Sequence, residues 1–184
     1  MITAVPSYLN IQTKQIIEEK NVKKLIIILS TLIVFQCGKT NIVKLPITTK
    51  SEKALSFYNK AILEWEAGGD IEKRAFLDSA ILYDKKFALA YELNDISDPI
   101  KRKEYIEKAK SLISGLTNSE KYILHIRNSF RENNLDAALK YANKLVDEFP
   151  DYYESYNWLG IVHSNRNELK EAEKNFMKGI SINN

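Results

Sequence analysis

An all-α fold, in which antiparallel helix pairs stack as a solenoid, is predicted by three observations. First, one pattern is written twice near the C-terminal end: Asn133, Leu135 and Ala138 recur 34 residues later as Asn167, Leu169 and Ala172, and Tyr122 recurs as Tyr156. Second, apolar residues beyond position 50 return at three- and four-residue intervals, the period of a helix with one buried face. Third, the 184 residues include only four prolines and six glycines, and long Val, Ile and Thr runs of the kind that favour strands are missing after residue 50.

The first fifty residues stand apart from that pattern. Lys23 and Lys24 precede Leu25 to Phe35, an apolar run broken only by Ser30 and Thr31 and closed by Gln36 and Cys37. A basic flank followed by an apolar stretch of this length has the form of an export signal, and it falls short of the roughly 20 residues a membrane-spanning helix needs. Met1 to Asn21 is long for the leading part of such a signal. Either the natural start is nearer Val22, or the leader is extended, with Ile11 to Lys20 as a short amphipathic helix. A cysteine directly after the apolar run resembles the lipobox of bacterial lipoproteins, although Phe35 and Gln36 stand where that motif has small residues. The resemblance implies removal of residues 1–36, acylation of Cys37 and attachment to the inner or outer membrane of a bacterial envelope, facing the periplasm or exterior. An uncleaved signal anchor and an inert buried thiol are the alternatives. Residues 37–50 are then expected to form the lipidated cysteine and a flexible linker, spanning roughly 20 Å as a coil.

Four helix pairs are expected from residue 51 to 184. Thr49-Lys50-Ser51-Glu52 has the spacing of a capping box, and Ala54, Tyr58, Ala61, Ile62 and Trp65 follow on one helical face. Gly68-Gly69-Asp70 breaks the run before a return helix over Ile71 to Tyr83, with Leu77, Ala80 and Ile81 inward. The second unit opens at Phe87 and is irregular. Asp98-Pro99 reads as N-cap and first-turn proline, and Ile100 to Ser114 reads as its second helix, with Tyr105, Ile106, Ala109 and Leu112 inward. Tyr91 to Tyr122 is 31 residues rather than 34, so this unit is trimmed and a groove built across it is expected to be narrowed or kinked. Thr117-Asn118-Ser119-Glu120 repeats the capping box and starts the third unit. Pro150 ends that unit, and the fourth carries Tyr156, Leu159, Gly160 and His163, then Leu169, Ala172, Phe176 and Gly179.

With these residues in place, the segment 51–184 resembles the tetratricopeptide repeat family, whose helix-turn-helix units bury their apolar faces by stacking on neighbours. The resemblance implies a non-catalytic scaffold that binds a protein or peptide in a concave groove. It also implies structural roles for Ala138, Pro150, Leu159, Gly160 and Ala172, the small residues allowing close helix approach. In the family the groove is lined by the first helix of each pair. That maps to Glu120, Ile123, Arg127, Phe130 and Arg131 in unit three, and to Glu154, Asn157, Ile161, Ser164 and Asn165 in unit four. Arg127 and Arg131, four apart, could meet a carboxylate together, the alternative being a solvated charged face. The spread of Lys and Asn that forms the carboxylate clamp of chaperone-binding relatives is missing, so chaperone tails are not implied.

Chemistry of other kinds finds little support in the sequence. Net charge is +3, and basic and acidic side chains nearly balance after Cys37, so no clustered cationic surface suggests nucleic acid. With one cysteine and two histidines, His125 and His163, set 38 residues apart, no metal or cofactor site is expected. The histidines read as packing residues; an accessory enzyme subunit using His163 with a carboxylate is the opposing possibility. Trp65 is expected in the core and Trp158 partly exposed. Because the fourth unit has no polar capping helix after it, self-association at that end, a covering partner or a truncated frame from a longer exported repeat protein is expected.

Overall fold

The computed structural model describes residues 44–183, which are helical apart from the extended segment 44–50 and short connections. Helix α1 spans Glu52–Glu66 and α2 Asp70–Tyr83; α3 is a short helix, Ala88–Glu92, and α4 spans Pro99–Ser111. A 3-10 turn at Ile113–Gly115 leads to α5 (Asn118–Arg131), α6 (Leu135–Glu148), α7 (Tyr153–Asn165) and α8 (Leu169–Asn183). Main packings run between neighbours, α1 on α2, α5 on α6, α6 on α7 and α7 on α8, while α5 also meets α3.

The repeated asparagines explain the recurring turn. Asn133 and Asn167 have φ of 54° and 62°, and Gly68 holds the same place after α1 at φ 84°. Each sits two residues beyond the end of its first helix, where a left-handed residue reverses the chain; Asn and Gly adopt that conformation at least cost. Helix starts follow the local chemistry. Asp98 caps α4 through the amides of Ile100 and Lys101, with Pro99 in the first turn. Thr117 and Glu120 form both halves of a capping box on α5. At α1 the cap is Ser51, which accepts from the Ala54 amide at 3.2 Å, not Thr49, whose hydroxyl instead donates to Asp84 at 2.6 Å.

The core is continuous, running through Ala54, Ala61, Leu77, Ala80, Ile126, Ala138, Ala142, Leu145 and Val162, all fully enclosed. Small residues at these helix crossings let the backbones approach within one layer of side chains. Trp158 departs from the expected partial exposure. It is 5% exposed and lies against Trp65, ring centroids 5.6 Å apart. That contact joins the first unit to the fourth.

Residues 44–47, within the segment expected as a linker, line the concave side. Leu45 is 6% exposed. The Pro46 carbonyl accepts hydrogen bonds from Ser119 Oγ at 2.8 Å and Thr117 Oγ1 at 3.0 Å. Thr48 donates to Glu120, and Lys44 Nζ donates to Asn59 at 3.1 Å. Thr117 therefore both caps α5 and holds this strap. Thr117→Ala is expected to lower stability by about 1–2 kcal/mol, read as a shift of the urea midpoint, with Thr117→Ser recovering most of it.

Candidate functional site

The concave side is a cavity of about 740 Å³ walled by α1, α3, α5 and α7, by the strap and by one face of α8. Its apolar wall comes from Ile62, Trp65, Ile123, Trp158, Ile161 and Phe176. The first helices contribute because their second helices pack behind them, leaving one face of each turned inward.

The polar wall is acidic. Glu66, Glu120 and Glu154 line the cavity, alongside Tyr58 and Tyr153. Glu120 is 1% exposed; its Oε2 accepts from the Thr48 hydroxyl and the Thr117 amide. Its Oε1, and Oε2 of Glu154, have no hydrogen-bond partner among the described residues. Burial pushes the Glu154 carboxyl up to about 7, against the stabilising pull of its own amide, Lys44 and the Leu45 amide, and nearby Glu66 adds to the rise. Burial likewise raises Glu66, offset in part by the Tyr153 hydroxyl donated to it and by Lys44. The Tyr58 and Tyr153 hydroxyls are both pushed well above the usual phenol range, first by burial and then by the Glu154 charge.

A carboxyl raised in the folded state makes stability depend on pH in a definite direction. Between the ordinary value of 4.5 and about 7, the folded protein holds a proton that the unfolded chain has released. Stability therefore falls as pH rises through that window and levels off above it. His125, held below its usual value by burial and by Lys144, has the opposite slope. Comparing wild type with Glu154→Gln isolates the carboxyl: in urea unfolding from pH 5 to 8, the variant is expected to gain stability relative to wild type as pH rises, levelling off above 7.

The sequence-derived groove residues divide. Asn157 and Ile161 line the cavity, as do Glu120, Ile123 and Glu154; the Asn157 amide donates to Glu66 at 3.4 Å. Arg127 and Arg131 face α3 instead. Arg131 donates to Glu92 Oε1 at 2.5 Å, and Arg127 reaches Asp95 at 2.5 Å and Glu92 at 3.5 Å. Lys73 approaches Asp95 from α2 at 3.2 Å. Burial opposes the Asp95 charge, but Arg127 and Lys73 outweigh it and hold its carboxyl below the usual range. Phe130 packs partly buried against the core. Asn165 turns back to the Ile161 carbonyl at 2.8 Å, and Ser164 is exposed outside the cavity. Among the repeat positions, Ala138, Leu159 and Ala172 are buried, Gly160 faces Phe176, and Pro150 is exposed just after α6. Cys37 and the leader 1–36 lie outside the described residues.

The strap, Glu66 and Tyr153 completed the cavity without a local signal in the sequence. Residues 44–47 have no periodicity, and Glu66 is the last residue of α1, brought to Tyr153 only by the closure of the array. The histidines do not enter the cavity. His125 stacks on Tyr141 at 4.4 Å. His163 Nδ1 lies 2.6 Å from Glu168, which Arg166 links at 2.9 Å and 2.5 Å to itself and to Asp136, a set that ties the α7–α8 turn to α6. Among the described residues, no three His, Cys, Asp or Glu side chains converge as a metal site. No described helix is long and apolar enough to cross a membrane.

Stacked helix pairs with an inward-facing groove define a helical-repeat scaffold. Residues 153–184 match the tetratricopeptide repeat family model, and α5–α6 restates the matched pair at the same spacing with the same asparagine turn. The α7–α8 pair is thus a tetratricopeptide repeat by its sequence. Among solved structures it is similar to one titled "Crystal structure of MamA", at 16% identity and a TM-score of 0.33, covering 72% of this chain and 80% of that one. No curated protein matches the sequence.

Proposed function

We propose that this protein is a non-catalytic scaffold of the bacterial cell envelope, tethered by lipid on Cys37, which docks an extended segment of a partner protein in its concave groove. The observation that carries the docking part is the strap. The groove holds an extended stretch of its own chain through the Pro46 carbonyl and the buried Leu45 side chain, and leaves a preformed cavity beside it. A rigid, preformed site takes an extended peptide with less ordering cost than one that must fold around it. The lipid part rests on the leader and on Cys37 directly after it. Each buried methylene of an acyl chain contributes about 0.8 kcal/mol, so one chain holds marginally and two hold firmly.

Two measurements test the reading. Membrane fractionation with intact mass, comparing wild type and Cys37→Ser, should give an acylated form beginning at Cys37 that is lost in the variant; soluble proteins retaining residues 1–36 in both cases would refute tethering. A photo-crosslinking residue at Ile161, in the groove, should trap one partner that the same residue at exposed Lys140 on α6 does not. Equal adducts from the two positions would refute docking in the groove.

A further inference from the structure

The acidic wall of the cavity has a consequence for what the groove selects, and it rests on the docking reading above. We propose that the groove recognises a peptide segment carrying a lysine or arginine flanked by apolar residues, its cationic head lodged between Glu120 and Glu154. Buried carboxylate oxygens are nearly always hydrogen-bonded, because leaving them bare in a low-dielectric site is costly. Here Glu120 Oε1 and Glu154 Oε2 are buried with no donor among the described residues, although the other oxygen of Glu120 has two. Both carboxylates bear on the same buried Tyr58, so they act on a common region of the cavity.

The other walls suit the same guest. Lys44, the strap's cation, donates its Nζ to Asn59 and also acts on Glu154 and Glu66, so a guest's cation competes with it for the acidic wall. Ile62, Ile123 and Ile161 provide apolar seats for neighbouring side chains. The volume lies within the range of small-ligand pockets, enough for one long basic side chain and its neighbours. An ionised acidic or a purely apolar side chain in that place would give the two oxygens no donor.

The chain's two tryptophans both line the cavity, so their emission reports its occupancy in the full-length protein. The probes are three blocked pentapeptides, Ala-Leu-X-Leu-Ala, with lysine, norleucine or glutamate at X. The lysine peptide is expected to shift the emission and to bind at least about tenfold more tightly than the norleucine peptide, the contribution of one charge-assisted hydrogen bond. That advantage should vanish in Glu154→Gln. It should also shrink as pH is lowered from 8 to 5.5, because Glu154 becomes protonated while Glu66 from α1, Glu120 from α5 and Lys44 from the strap face it, together with the hydroxyls of Tyr58 and Tyr153; the lining residues of α8 bring no titratable group. Equal binding of the lysine and norleucine peptides would overturn the cation assignment and leave groove docking standing. No response to any of the three would overturn both. Calcium chloride or manganese chloride that alone displaces the lysine peptide would show that the oxygens serve a divalent ion, and would also overturn the proposal.

Discussion

Glu92→Ala is expected to destabilise the fold by roughly 1.5–3 kcal/mol, the usual worth of a hydrogen bond to a charged group. The Glu92 side chain is 1% exposed and receives Arg131 at 2.5 Å, with Arg127 at 3.5 Å. Removing the carboxylate leaves the Arg131 guanidinium, 24% exposed, without its partner, while Arg127 keeps Asp95. Because α3 is five residues long, it has few apolar contacts with which to hold its place, and these pairs fix it between α2 and α5. The measurement is urea unfolding followed by helix circular dichroism. Glu92→Leu combined with Arg131→Met should recover much of the loss, since an apolar pair of similar volume avoids desolvating both charges. A loss below about 1 kcal/mol for Glu92→Ala would show that the pair behaves like an exposed one.

The second large effect is expected at Gly160. A Cβ built there would lie 2.6 Å from the Phe176 ring, well inside contact distance, and the ring lies on α8, whose neighbouring Gly179 is already packed against the Tyr153 carbonyl. Gly160→Ala gains about 1 kcal/mol in helix propensity and loses about 1–3 kcal/mol to overpacking. Gly160→Val should lie at or beyond the upper end of that loss. Phe176→Ala removes the obstruction, so a double-mutant cycle should show Gly160→Ala tolerated in the Phe176→Ala background and harmful alone. Additive effects would mean that α8 shifts freely. Since Phe176 and Ile180 wall the cavity, the same displacement should alter tryptophan emission.

Much of the architecture was legible because it is encoded locally. The 34-residue recurrence marks the units; the asparagines at 133 and 167 mark left-handed turns; Thr117 with Glu120 and Asp98 with Pro99 mark helix starts. Each is a matter of a few neighbouring residues. The site was only half legible. Family geometry points to the first helices, and Ile123, Asn157 and Ile161 do face the cavity. Arg127 and Arg131 fall on α5 as expected, yet their charges are spent on Glu92 and Asp95. That pairing depends on where the trimmed α3 ends, which no periodicity encodes. Trp158 is covered for a related reason, by Trp65 of the first unit, which no local pattern relates to it. The strap carries one buried side chain and is gripped in part through the Pro46 carbonyl, and a carbonyl has no signature among residue types.

Stacked-repeat proteins behave nearly as one-dimensional chains, in which each unit melts with its immediate neighbours and stability is a running sum. This one breaks that rule. Ser119 grips Pro46 across 73 residues, and Tyr153 and Asn157 reach Glu66 across 87 and 91. Such bonds tie the first unit to the third and fourth, so fraying from either side must open contacts made by the far side as well. The array should therefore unfold as a single cooperative block, with calorimetric and van't Hoff enthalpies in agreement. It should also refold more slowly than its local helix content suggests, because long loops must close before the distant contacts form.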